Sequence, residues 1–187
     1  MLEFWFKSLV RGGFGVTTLD NYITSMKERF SRHYDVYSHE KLGTFPLAFY
    51  AHYHRRDEKY FITKSIKVWG ANNQQFVYVL KKDKPLTKND VYDFAKEIEN
   101  RIKENVQKDE EHMSSIFLGV IVTDQPVSRE VQKVVEKYRK LLFFKWGMQG
   151  WAEQYLGIVN FSTKHIYTNK KGKEFFINFI QDEKVKK

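Results

Sequence analysis

An α/β fold with a mixed sheet is predicted by three features of this 187-residue chain. Residues 116–122 and 155–159 are near-continuous apolar runs, stopped by Thr123-Asp124-Gln125-Pro126 and Asn160-Phe161-Ser162-Thr163 respectively. A helical pattern lies between them, and the order buried strand, polar loop, amphipathic helix, buried strand is that of a βαβ crossover. Upstream, from Pro46, the apolar period changes to two, the mark of strands with one buried and one wetter face.

Taken in order, residues 1–15 place Leu2, Trp5, Phe6 and Leu9 on one face of a short helix that stops at Gly12-Gly13. Such a stripe packs on a core, or docks residues 2–10 on a membrane surface or a partner. Thr17 or Thr18 caps a second helix, in which Leu19, Tyr22, Ile23, Met26 and Phe30 recur at core-facing spacing. Residues 35–45 read as a loop. A three-strand antiparallel meander follows over 46–54, 59–69 and 75–81, with turns at Arg55-Arg56-Asp57-Glu58 and Gly70-Ala71-Asn72-Asn73.

Thr87-Lys88-Asn89-Asp90 resembles a capping box with Asp in place of Glu, and Leu86 and Val91 are spaced as a hydrophobic staple. Val91, Phe94, Ala95, Ile98, Ile102 and Val106 then form one stripe, which predicts a long helix whose exposed face, with Asp93, Glu97, Glu99 and Glu104, is acidic. After the first buried strand, Ser128 caps a helix carrying Val131, Val134, Val135, Tyr138 and Leu142. After the second, residues 164–167 and 174–180 around Asn169-Lys170-Lys171-Gly172 predict a C-terminal hairpin, and 181–187 a solvated basic tail. With no repeat or linker in between, residues 1–187 read as a single α/β domain.

Composition bounds the function. Hydrophobic residues at 42% and aromatics at 17% supply a core without staples, and the absence of cysteine excludes disulfides and thiolate metal sites. No apolar stretch reaches the ~18 residues of a bilayer span, and the start lacks a secretory cleavage pattern, so a cytoplasmic location is expected. A formal net charge of +9 points to an acidic partner: nucleic acid, an acidic protein or an anionic membrane surface. No nucleophile elbow, HExxH pair or Walker loop is present, and no cofactor is expected.

The order is helix, three-strand meander, helix, buried strand, helix, buried strand, and its first six elements resemble the core of restriction-endonuclease-like nucleases of the PD-(D/E)xK type. That resemblance implies a metal-binding Asp on the second strand of the meander, and a Glu or Asp two residues before a Lys on the third. Here those strands offer Thr63-Lys64-Ser65-Ile66-Lys67 and Phe76-Val77-Tyr78-Val79-Leu80-Lys81, with no carboxylate to hold Mg²⁺ beside a scissile phosphate. The resemblance therefore extends to topology and not to catalysis. The aromatic N-terminus, the long charged helix and Thr123-Asp124-Gln125-Pro126-Val127 are also similar to the cytosolic N-terminal domain of some Gram-positive rhomboid intramembrane proteases. That similarity implies a regulatory or sensing domain without catalytic residues.

Three candidate sites follow from the residues. If the two buried strands are parallel, Asp124, Gln125, Ser162, Thr163 and Lys164 converge on the rim beyond their carboxyl ends, where open α/β sheets gather ligands. His52 and His54, two apart on a strand, share a face and form a candidate metal pair that needs further ligands; with Asp124 they are the residues a divergent metal-dependent hydrolase or nuclease would use. Lastly, Arg55, Arg56, Lys59, Lys64 and Lys67 on the meander, with Lys164, Lys170, Lys171 and Lys173 near the final turn, form a basic surface interleaved with Tyr50, Tyr53, Tyr60, Phe61 and Tyr78. Lysines attract phosphates and exposed rings stack on bases, so this charge predicts a non-catalytic binding or regulatory module for an acidic partner.

Overall fold

Residues 18–53, 73–108, 114–144 and 150–179 are described by a computed structural model of the chain. Helix α1 (Leu19–Phe30) starts where Thr18 Oγ1 accepts from Asn21 N at 3.2 Å, and buries Leu19, Ile23, Met26 and Phe30. Strand β1 (Asp35–Tyr37) follows, then a minimal hairpin of β2 (Lys41–Leu42) and β3 (Phe45–Pro46), turned at Gly43, whose φ of 57° suits glycine. The expected loop over 35–45 is thus partly strand. A three-residue strand carries too little pattern to be seen, and it exists because β4 (Phe49–Tyr53) offers it a free edge, in the register Asp35↔His52 and Tyr37↔Tyr50.

On its other side β4 pairs directly and antiparallel with β5 (Asn73–Lys81), Phe49 facing Val79. The antiparallel trio is therefore β1, β4 and β5. Both edges of β4 are occupied, by β1 and by β5, the last strand of the predicted meander; the strand expected over 59–69 falls outside the described residues.

Helix α2 (Lys88–Lys108) starts at the predicted capping box: Thr87 Oγ1 accepts from Asp90 N at 3.1 Å, and Asp90 Oδ2 accepts from Thr87 N at 2.9 Å. It returns the chain to β6 (Ser114–Thr123), which lies parallel to β5. Helix α3 (Arg129–Lys137) begins at Ser128, whose Oγ accepts from Val131 N at 3.4 Å, and ends short of the predicted Leu142. Tyr138 is already extended, and Arg139–Phe143 becomes β7, antiparallel to β8 (Trp151–Asn160). Pairing with β8 satisfies backbone groups of β7 in place of another helical turn. Strands β6 and β8 are parallel, as the crossover pattern requires.

The final hairpin is half as expected. Strand β9 (His165–Thr168) folds back antiparallel on β8. Its predicted partner over 174–180 is instead helix α4 (Lys173–Phe176) with a 3₁₀ turn, Ile177–Phe179. Short apolar runs do not distinguish strand from helix; the helical turn buries Phe175, Phe176 and Phe179 together.

Among the described residues the large sheet runs β1-β4-β5-β6-β8-β7, with β9 also on β8. Helices α2 and α3 cover one face, over Phe76, Tyr78, Leu80, Phe117, Ile121 and Leu156. Helix α1 and the α4 segment cover the other, over Phe49, Val77, Val79, Leu118, Val120 and Val159. Strands buried on both faces read as continuous apolar runs, which is why β6 and β8 stand out in the sequence. No helix among the described residues is long and apolar enough to cross a membrane.

Candidate strand-end rim and basic surface

The parallel strands β5, β6 and β8 end together at Lys81, Thr123 and Asn160, and the predicted rim residues do meet there. Asn160, almost wholly buried, joins the two loops: its Nδ2 donates to Gln125 O at 2.8 Å and its Oδ1 accepts from Thr163 N at 2.9 Å. Ser162 Oγ donates to Asp124 O at 3.0 Å, Gln125 Nε2 donates to Asp124 Oδ1 at 2.8 Å, and Gln125 N donates to Thr123 Oγ1 at 3.1 Å. Lys164 turns the chain with φ at 51°. Donors that would hold a ligand are spent on closing the loops onto one another.

Charge at this rim is similarly matched. Lys81 Nζ lies 2.7 Å from Asp20 and 3.2 Å from Asp83, Lys82 is 2.6 Å from Asp90, and Lys88 is 3.1 Å from Glu130. Burial resists ionisation of Asp90, but hydrogen bonds from Lys82 and Thr87 outweigh it and hold the carboxyl below its usual range.

His52 packs in the sheet. Its imidazole stacks on the Phe76 ring at 4.3 Å between centroids and 9° between planes, and Phe76 stacks in turn on Phe117 at 4.4 Å. His54 lies outside the described residues, among which no cluster of three or more His, Asp or Glu is arranged to hold a metal. Asp124 and His52 do not share a site. His52 stands in the row of Phe117, and Asp124 lies seven residues further along, about 23 Å at ~3.3 Å per residue.

The predicted basic surface divides. Arg55, Arg56, Lys59, Lys64 and Lys67 lie outside the described residues, as do Tyr60 and Phe61. Tyr78 is buried and Tyr50 stacks on it at 5.0 Å, so neither stands free as a base platform. Lys164 sits at the rim, whereas Lys170, Lys171 and Lys173 follow the far end of β9.

Lys170 and Lys171 sit in a turn tied to a helix end that sequence reasoning did not connect with it. Strands β7 and β9 run one after the other along the same edge of β8, and Asn169 fills the junction: its Nδ2 donates to Tyr138 O, and its Oδ1 accepts from Gly172 N. The turn carrying Lys170 and Lys171 is thereby fixed to the end of α3, where Lys133 and Lys137 flank a shallow groove of about 340 Å³ shared with Tyr92, Val134 and Tyr138. Tyr92 is 51% exposed. The available signal was the spacing of Lys133 and Lys137, one helical turn apart and off the buried stripe of Val131 and Val135.

None of Lys133, Lys137, Lys170, Lys171 and Lys173 is in an ion pair among the described residues, although Glu136 and Glu174 stand exposed on the same elements. By contrast Lys140 and Lys103 both engage Glu99, and together they hold its carboxyl below the usual range; Arg139 is bonded to Glu153 at 2.8 Å.

A family described as Domain of unknown function (DUF8052) matches residues 18–181, nearly the whole chain, from the cap of α1 past the last 3₁₀ turn. The chain belongs to this family. No curated protein and no solved structure matches it. The DUF8052 match covers the strand-end rim, the α3 groove and the Asn169 turn alike.

Proposed function

We propose that this DUF8052 protein is a non-catalytic binding module that takes a nucleic acid on the lysine surface where α3 meets the Asn169 turn. The observation that carries the reading is the bond from Asn169 to Tyr138 O, which ties a turn bearing two lysines unpaired among the described residues to the end of a helix bearing two more. Lys81, Lys82, Lys88, Lys103 and Lys140 are neutralised by carboxylates, while Lys133, Lys137, Lys170, Lys171 and Lys173 are exposed without such partners among the described residues. Cations already paired in the fold release few counterions on binding, and unpaired ones release them freely. The exposed Tyr92 ring beside the groove adds a stacking surface of the kind single strands use. A hydrolase reading draws no support, because Asp124 and His52 stand far apart along the sheet.

Fluorescence anisotropy with a labelled single-stranded oligonucleotide, titrated across salt concentrations, tests this. Binding should weaken linearly in log–log form, and changing Lys133, Lys137 and Lys171 together to Gln should reduce the slope by about 0.7 for each phosphate no longer neutralised. An unchanged slope, or no binding at low salt, overturns the reading. Binding of poly-glutamate in preference to the oligonucleotide would transfer the surface to an acidic protein.

A further inference from the structure

We propose that a second, separate cleft, over the sheet row of Tyr37, Tyr50 and Tyr78, binds a small flat carboxylic acid through Arg101 and the tyrosine hydroxyls, with Glu40 at the ligand's far end.

The row is built by register. Tyr37 faces Tyr50 across β1 and β4, and Tyr50 faces Tyr78 across β4 and β5. Their rings stack at 5.6 Å and 5.0 Å between centroids, with planes within 26°. Exposure falls inward along the row, from 45% at Tyr37 to 3% at Tyr78. The C-terminal half of α2 brings Arg101 and Asn105 to this row, and the segment before β2 brings Glu40, enclosing about 220 Å³. That is below the roughly 300–1,000 Å³ of sites for drug-sized molecules, which limits the ligand to a single small ring or its equivalent.

The polar groups here are largely uncommitted. Neither the Tyr50 nor the Tyr78 hydroxyl has a hydrogen-bond partner among the described residues. Both tyrosines line the cleft, so their hydroxyls are open to it and can donate to a ligand there. Burial pushes both hydroxyls up, with Arg101 opposing the shift at both and Glu40 and Glu104 adding to it at Tyr50 and Tyr78 respectively, so both are protonated donors at neutral pH. Among the described residues Arg101 itself has only a solvent-exposed contact with Glu104 at 3.7 Å, a pairing of little strength. Its planar fork is suited to a carboxylate.

Charge balance selects the ligand's valence. Arg101 and Lys41 exceed the one carboxylate lining the cleft, Glu40, by a single charge, so one carboxylate is matched and a dianion would exceed the site's charge. Leu47 and the tyrosine rings supply an apolar wall for a flat body. Glu40, an acceptor only, suits a ligand hydroxyl.

Isothermal titration calorimetry of the full chain with 4-hydroxybenzoate, 4-hydroxybenzamide and inorganic phosphate tests this assignment. The expected result is saturable binding of the carboxylate, with the amide and phosphate each at least about tenfold weaker. Arg101→Gln should weaken the carboxylate by at least about tenfold, and Tyr50→Phe, which keeps the ring stack, should weaken it by several-fold. Circular dichroism confirms that both variants keep the fold. A Lys170→Gln/Lys171→Gln variant should bind it unchanged, which separates this cleft from the oligonucleotide surface. Equal affinity for the amide or for phosphate, wild-type affinity in Arg101→Gln, or no saturation up to about 10 mM overturns the proposal.

Discussion

Replacing Gly157 by alanine tests how the α4 segment is seated on the sheet. A Cβ added at Gly157 lies 2.2 Å from Phe176 Cε1 and 2.4 Å from Cδ1, where carbon atoms in contact keep about 3.5–4.0 Å. The ring has no room to retreat: Phe176 is fully buried, 5.8 Å between centroids from Phe179, which is itself fully buried. Gly157 is not in the left-handed region, so backbone strain does not enter. Were the space open, alanine would stabilise by about 0.4–1 kcal/mol, because it restricts the unfolded chain. Overpacking costs about 1–3 kcal/mol, so the clash prevails and the sign reverses. A net loss of about 1–2 kcal/mol lowers Tm by roughly 2–8 °C for a chain of this length. Scanning calorimetry on Gly157→Ala, Phe176→Leu and the double variant provides the test. In the double variant the smaller side chain admits the new methyl, so its loss should fall short of the sum of the singles by at least about 0.5 kcal/mol. A Gly157→Ala protein that melts at or above wild type, or strictly additive losses, would refute the packing argument.

Asp90→Asn should cost about 1 kcal/mol in urea unfolding, since it weakens both the α2 cap and the Lys82 pairing. Because the folded state holds the Asp90 carboxyl below its ordinary value, the contribution is whole above the unfolded value of about 3.9 and is lost as pH falls through the folded one. The gap between wild type and Asp90→Asn should therefore close below about pH 4; a constant gap would count against the assignment. Ile98→Ala empties a fully buried position of α2 and should cost about 2–5 kcal/mol by chemical denaturation; a loss under about 1 kcal/mol would mean the α2 face is loosely packed. Asn169→Ala strips Tyr138 O and Gly172 N of their shared partner and should cost about 1–3 kcal/mol. It should also weaken oligonucleotide binding although no charge is removed. Unchanged affinity well below the melting temperature would show that the turn does not need Asn169 to present its lysines.

Features encoded within one element or its immediate flank were legible from the residues alone. The capping box at Thr87 and Asp90, the Ser128 cap, the α2 stripe and the double-sided apolar runs of β6 and β8 all follow from local spacing, and each is found. The strand-end rim was legible for the same reason, because parallel strands joined by a helix bring their carboxyl ends together wherever the fold leads. Whatever depends on a partner distant in sequence had to await the folded arrangement. Strand β1 forms only because β4 presents an edge, β7 replaces a helical turn because β8 is open beside it, and residues 173–179 coil because Gly157 leaves space for Phe176. The same holds for the proposed surfaces. Lys133 and Lys170 are 37 positions apart in the chain, and no local pattern joins them; the Asn169 side chain, bonded to Tyr138 O, does so by fixing one turn against one helix end. Nor does any sequence period align Tyr37, Tyr50 and Tyr78, which meet Arg101 only through the register of three strands beneath α2.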